Sequence, residues 1–169
     1  MAIRVVADPA RLSWRNFRPV GEIPGSSEEA QIAPDIHFPR MSVQNRNGKA
    51  RLGDFTITVR PRREDTLIVR TARKTPELLE HEQGHFDLLV LGARQMAREL
   101  ESLEADSPAE LQEALEKLKE THQERATAID EAYDKQTAHS RNAIQQRRWR
   151  QMIADAAANK ASQIDGMDL

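Results

Sequence analysis

The segment from residue 75 to residue 89, TPELLEHEQGHFDLL, constrains the fold of this chain more than any other stretch. Thr75 can cap the free amides of a helix, and Pro76 suits the first helical turn because its missing N–H costs nothing there. Apolar residues then recur at helical spacing, but two histidines and a glutamate interrupt the face that should be buried. The segment therefore predicts a helix that carries polar groups into the protein interior, where they need partners.

The composition changes near residue 73, and this change predicts an α+β fold. Residues 1–73 hold most of the proline, glycine and β-branched runs, whereas the later part is rich in Ala, Glu, Gln, Leu and Arg. At 169 residues the chain suits a single domain over residues 1–169, sheet-rich at about 1–73 and helical at about 75–160. The arrangement expected is a small sheet followed by long helices.

Start signals and apolar periodicity predict three helices and a few strands. The helices run from Thr75 to about Leu103, from Ser107 to about Asp134, and from about Asn142 to Ala158. The segments predicted as strands are Ile3–Val6, Ile36–Phe38, Phe55–Arg60 and Thr66–Arg70, with the last two joined as a hairpin, while Gly21–Ser27 and Asn45–Lys49 are predicted as loops and residues 162–169 as a frayed tail. Thr66–Arg70 could form a sheet edge to which an extended peptide adds as a strand.

Composition and charge exclude several classes of partner and site. The chain has no cysteine, so any metal must be held by His, Asp or Glu. Its net charge of -2 provides no field that would attract nucleic acid or an anionic membrane. No apolar run is long enough for a signal peptide or a bilayer span, which leads us to expect a cytoplasmic protein.

His81 and His85 lie one turn apart on the first helix, so their imidazoles can bind one tetrahedral metal ion. With Glu82 beside them, they match the HExxH zinc motif. Zinc lowers the pKa of its bound water to about 7, and a glutamate within reach takes the proton as the water attacks a carbonyl. The motif predicts Zn²⁺ as cofactor, Glu82 as general base and a peptide or protein as substrate.

Two neighbours on the same helix complete this interpretation. Gly84 lowers helix stability, which suits a place where the backbone or the metal lies close. Asp87 could accept a hydrogen bond from a ligand imidazole, or it could simply be exposed. On the next helix, Tyr133 could donate its hydroxyl to the oxyanion of the attacked carbonyl, or it could serve only to pack that helix.

The third ligand decides the subclass of zinc site. A metzincin would carry glycine and histidine at the positions held by Leu88 and Leu91, so that class is excluded. Glu104, at a spacing typical of thermolysin, would lie about 28 Å from His85 along an unbroken helix. A second helix returning antiparallel from Ser107 would be level with the histidines near residues 126–134.

The candidates in that region are Asp134 and His139. His139 fits if the chain turns after Asp134, and Asp134 fits if the helix continues straight. Because imidazole is a common zinc ligand, His139 is the preferred prediction and Asp134 the alternative.

Three stretches together resemble a known family: LSWRNFRPVGEIPGSSEEAQIAPDIHF, LLEHEQGHFDLL and YDKQTAHS. They are similar to bacterial proteins described as secreted zinc-dependent proteases, a zincin family catalogued as a domain of unknown function. The resemblance covers Leu12 to Trp149, and the family's Tyr-Asp and His-Gly pairs align with Tyr133, Asp134 and His139, although Ser140 stands where glycine is usual. It implies a zincin-like fold, a zinc site and a secreted or periplasmic location.

The sequence therefore predicts a zincin-like α+β metallopeptidase, with His81, His85 and His139 as zinc ligands and Glu82 and Tyr133 in catalysis. One alternative is a non-catalytic, zinc-stabilised helical binding module that docks a protein partner. Another is a helical interaction protein in which the HExxH spacing is accidental.

Overall fold

A computed structural model describes residues 2–159, 163–164 and 166–168. Its helices are α1 (Pro76–Ser102), α2 (Pro108–Thr137) and α3 (Ala143–Ala157). Each begins at a capping side chain, because Thr75, Ser107 and Asn142 each accept a hydrogen bond from a main-chain N–H in the first turn. The three predicted helices are thereby confirmed, and α1 is unbroken at Gly92.

The strands are short, and most of them lie in the first part of the chain. They are β1 (Ile3–Ala7), β2 (Arg18–Val20), β3 (Ala30–Gln31), β4 (Pro34–His37), β5 (Val43–Arg46), β6 (Lys49–Leu52), β7 (Phe55–Pro61), β8 (Leu67–Val69), β9 (Glu104–Ala105), β10 (Gln163–Ile164) and β11 (Met167–Asp168). The described strands form sheets of order β1-β7-β4, β2-β8-β3, β5-β6-β9 and β10-β11. The class is α+β, as predicted.

Two strand predictions are wrong. β7 and β8 do not form a hairpin, because β7 pairs with β1 and β4 while β8 pairs with β2 and β3. β8 lies in the middle of its sheet, so it cannot be the edge that accepts an extended peptide. β3 and β4 are each at the edge of a sheet, and they follow each other within residues 30–37.

The predicted loop at Asn45–Lys49 is a hairpin between β5 and β6. Asn47 and Gly48 have φ angles of 55° and 78°, the left-handed conformation that a two-residue hairpin turn requires. The Asn-Gly pair is a strong hairpin signal. It was missed because β5 is exposed throughout and its polar residues show no alternation of apolar and polar positions.

The core lies between the sheets and α1, and a second cluster joins α1, α2 and α3 around Trp149. Ile164 of β10 is fully buried in this second cluster, so the prediction of a frayed tail fails there, while residues 162, 165 and 169 lie outside the described part. Among the described residues, no helix is both long and apolar enough to cross a bilayer.

Candidate metal centre

The helix α1 carries the HExxH residues into the protein, as the sequence predicts. His81, Glu82 and His85 are 3%, 2% and 9% exposed. The sheets cover one side of this helix, and α2 and α3 cover the other, so the polar side chains lie in an enclosed space between layers.

Three potential ligand atoms converge at this place. His81 Nε2 lies 3.3 Å from His85 Nε2, and Asp134 Oδ1 of α2 lies 3.2 Å from the first and 2.9 Å from the second. Ligands at zinc-like distances in a tetrahedron are separated by about 3.3 Å. The three side chains are therefore already spaced as the ligands of one small metal ion.

The other nitrogen of each ring has its own partner. His85 Nδ1 lies 2.6 Å from Asp130 Oδ1, and His81 Nδ1 lies 3.5 Å from the hydroxyl of Thr137. With a proton on each Nδ1, both Nε2 lone pairs face the carboxylate of Asp134, whose buried Oδ1 has no well-aligned hydrogen bond. In this tautomer all three atoms are acceptors, and a cation between them would satisfy them, so these residues fit a metal ion.

The electrostatics differ between the two imidazoles, because burial lowers the pKa of His81 while the surroundings of His85 favour positive charge. Burial opposes a charge on His85, but contacts with Asp130 and Asp134 outweigh it and raise the pKa of His85 to about 10. Burial likewise opposes ionisation of Asp134, yet His81 and His85 hold the pKa of its carboxyl well below the usual range. Asp134 therefore stays ionised, and its negative charge would stabilise a bound cation.

Glu82 faces the residues of the first strands. Its Oε2 accepts a hydrogen bond of 2.7 Å from the main-chain N–H of Ile32, in the run that joins β3 to β4. Burial raises the pKa of Glu82 to about 7. One carboxylate oxygen of Glu82 is thus held by a hydrogen bond, and the carboxyl group can gain or lose a proton near neutral pH.

His139 lies just beyond the end of α2, at the edge of the same site. Its Nδ1 is 3.4 Å from Asp134 Oδ1 and 2.6 Å from Glu28 Oε1, and its side chain is 44% exposed. His81, Asp134 and His139 form one set of potential metal ligands, and His85, Asp130 and Asp134 form another. Of the two predicted third ligands, Asp134 is the one in contact with both motif histidines.

Comparison with known families assigns most of the chain to one family. The model of a family described as bacterial proteins of unknown function (DUF922) matches residues 31–140, more than half of the chain. The chain belongs to the DUF922 family. The match includes the HExxH residues and ends just after His139, whereas Glu28 precedes it. No curated protein and no solved structure matches the chain.

In this DUF922 protein the single tyrosine packs against α1 beside His81. The hydroxyl of Tyr133 donates to the main-chain oxygen of His81 at 3.1 Å, and its ring stacks on the imidazole with centroids 4.9 Å apart. The side chain is 2% exposed. This contact gives Tyr133 a packing and positioning role, and the oxyanion role predicted from the sequence stays a prediction.

Tyr133 also explains the glycine within the motif. A Cβ on Gly84 would lie 2.2 Å from the Tyr133 hydroxyl oxygen and 2.6 Å from Cζ. The close neighbour that requires glycine is therefore the tyrosine of α2.

Replacing Gly84 with alanine should destabilise the protein by about 2 kcal/mol or more, because either Tyr133 or the whole of α2 must shift. Gly92 lies in the same helix, and a Cβ added there would meet nothing within 4 Å, so Gly92→Ala is the matched control. It should stabilise the protein by up to about 1 kcal/mol. Urea unfolding of both variants measures the difference. Equal effects would contradict the packing argument.

Asp130 and Glu28 are two carboxylates near the site that the sequence analysis did not select. Asp87 accepts a hydrogen bond from Gln83 at 2.7 Å, so the carboxylate that contacts Nδ1 of a motif imidazole is Asp130, which lies beside His85. The spacing of Asp130 and Asp134, one helical turn apart, was a signal that could have identified this pair. Glu28 had no comparable signal, because its contact with His139 depends on the tertiary fold.

Proposed function

We propose that this protein is a zinc-dependent peptidase with a zincin-like fold. The observation that carries the proposal is the convergence of His81 Nε2, His85 Nε2 and Asp134 Oδ1 within 3.3 Å of one another, next to the buried carboxylate of Glu82. Two imidazoles and a carboxylate form a ligand set typical of catalytic zinc. When bound, zinc supplies a water of lowered pKa and polarises the carbonyl of a peptide bond.

Glu82 would act as the general base. Its pKa of about 7 lets it take a proton near neutral pH and return it to the leaving amine. The hydrogen bond from Ile32 holds one oxygen in place, which leaves the other free for the proton. Asp130 would keep the proton of His85 on Nδ1, so that Nε2 remains a ligand.

The surroundings of the site support a substrate in extended conformation. Among the described strands, β3 and β4 each lie at the edge of a sheet, and they run past the anchoring point of Glu82. A groove of about 300 Å³ lies between β4, α1 and α2 with His85 and Asp130 among its walls, and a smaller cleft of about 70 Å³ is lined by Glu28, His81, Glu82 and His139. An extended peptide could form main-chain hydrogen bonds along this edge and leave its side chains in the two hollows.

A second candidate is the zinc-stabilised binding module without catalysis. It is favoured by one observation: His139 Nδ1 lies 3.4 Å from Asp134 Oδ1 and supplies a possible fourth ligand. Zinc sites with four protein ligands are generally structural. The two candidates differ in whether His139 binds the metal.

Zinc content and hydrolysis together test the proposal. Purified protein should contain about one zinc per chain. The zinc-loaded form should cleave an unfolded protein or a mixed peptide library, and a chelator should abolish the cleavage until zinc is added back. Absence of zinc uptake would refute the metal site. Zinc uptake without any detectable cleavage would favour the binding module.

A further inference from the structure

One nitrogen in the site has two possible partners. His139 Nδ1 lies 2.6 Å from Glu28 Oε1 and 3.4 Å from Asp134 Oδ1, the oxygen that also faces His81 and His85. A nitrogen that donates its proton to Glu28 has no lone pair for a metal ion. The Glu28 contact and metal ligation by this nitrogen are therefore mutually exclusive.

Glu28 is held in position by the sheet. The main-chain N–H of Val69 in β8 donates to the oxygen of Glu29, and the N–H of Glu28 donates to the hydroxyl of Ser26. At the other end of the same segment, Ile32 binds Glu82. The carboxylate of Glu28 therefore reaches His139 from a fixed part of the fold.

The turn that carries His139 has an unfavourable backbone. Ala138, His139 and Ser140 have φ angles of 49°, 51° and 73°, a left-handed conformation that costs about 1 kcal/mol for each such residue. The N–H of Asn142 donates to the oxygen of Thr137 and closes the turn. Since the conformation is costly, the contact with Glu28 is one of the interactions that must stabilise this position of the ring.

We propose that Glu28 is a positioning residue that keeps His139 out of the ligand set, so that the protein supplies three ligands and leaves room for water and substrate. The inference rests on the proposed zinc site. Without the Glu28 carboxylate, the ring of His139 is free to use Nδ1 as a fourth ligand. The contact would then decide between an open, catalytic site and a closed, structural one.

The test compares Glu28→Ala, which removes the carboxylate that His139 contacts, with Glu29→Ala, its neighbour in the same segment. In Glu28→Ala, zinc affinity measured by chelator competition should rise about tenfold, the scale on which single residues around a metal change its affinity. The visible absorption of the cobalt(II)-loaded protein should change with the added ligand, and any peptide hydrolysis should fall. Glu29→Ala should match the wild type in affinity and spectrum.

A double-mutant cycle assigns the gain to His139. Adding His139→Ala to Glu28→Ala should remove the gain in zinc affinity and restore the wild-type cobalt spectrum, whereas His139→Ala alone should change the affinity little. Weaker zinc binding in Glu28→Ala would overturn the proposal and show that Glu28 orients His139 as a ligand. An unchanged affinity and spectrum would overturn it as well. Both readouts are independent of hydrolysis, so they remain informative if the protein is not a peptidase.

Discussion

Replacing Glu82 with glutamine should slow peptide hydrolysis by about 100-fold or more, the scale of a lost general base. Glutamine has nearly the same shape, and its carbonyl oxygen can still accept the hydrogen bond from Ile32 that Glu82 Oε2 accepts at 2.7 Å. The change removes the group that takes the proton and leaves the three converging ligand atoms in place. Zinc content and melting temperature should therefore stay close to those of the wild type.

The matched control is Glu77→Gln, an exposed glutamate in the first turn of the same helix. Its hydrolysis rate should equal that of the wild type. A Glu82→Gln variant that cleaves at the wild-type rate would show that Glu82 is not the base. A variant that loses its zinc would show instead that the carboxylate supports the metal site.

Replacing Asp134 with alanine should weaken zinc binding by about 100-fold or more, since it removes a proposed ligand and not merely a neighbouring group. Asp134 Oδ1 lies 3.2 Å from His81 Nε2 and 2.9 Å from His85 Nε2. Competition against a chelator measures the affinity. Hydrolysis at a fixed low zinc concentration should fall in parallel.

Two further variants complete this experiment. Glu131→Ala, an exposed acidic residue on the same helix, should leave zinc affinity unchanged. His139→Ala should have a much smaller effect than Asp134→Ala, because Glu28 retains the histidine in the wild type. The reverse order would establish His139 as the third ligand, which is the choice that the sequence analysis preferred.

Local signals were sufficient for the helices. The capping residues Thr75, Ser107 and Asn142 lie next to the start of each helix and act on amides within the first turn. Apolar periodicity then continues each helix without help from distant residues. For the same reason the unbroken α1 correctly excluded Glu104, which pairs with Arg51 on another surface.

Strand pairing could not be inferred in the same way. β7 and β8 follow each other closely in the chain, yet β7 pairs in parallel with β1 and β8 pairs in parallel with β2. Each pairing joins segments about fifty residues apart, and strand patterns specify a buried face but not the partner. The strand prediction at Ile36–Phe38 overlaps β4, but the pattern did not show that β4 is at the edge of its sheet.

Helical periodicity was enough to place His81, Glu82 and His85 together, because residues four apart share one face of any helix. Which residue of α2 contacts the two histidines depends on how α2 packs against α1. Tyr133 sets this packing, since its hydroxyl occupies the space over Gly84. At that separation Asp134 meets both imidazoles, while the turn after α2 directs His139 toward Glu28. Counting residues along an antiparallel second helix limited the partner to Asp134 or His139, and only the packing of α2 and the turn after it decided which of them contacts both imidazoles.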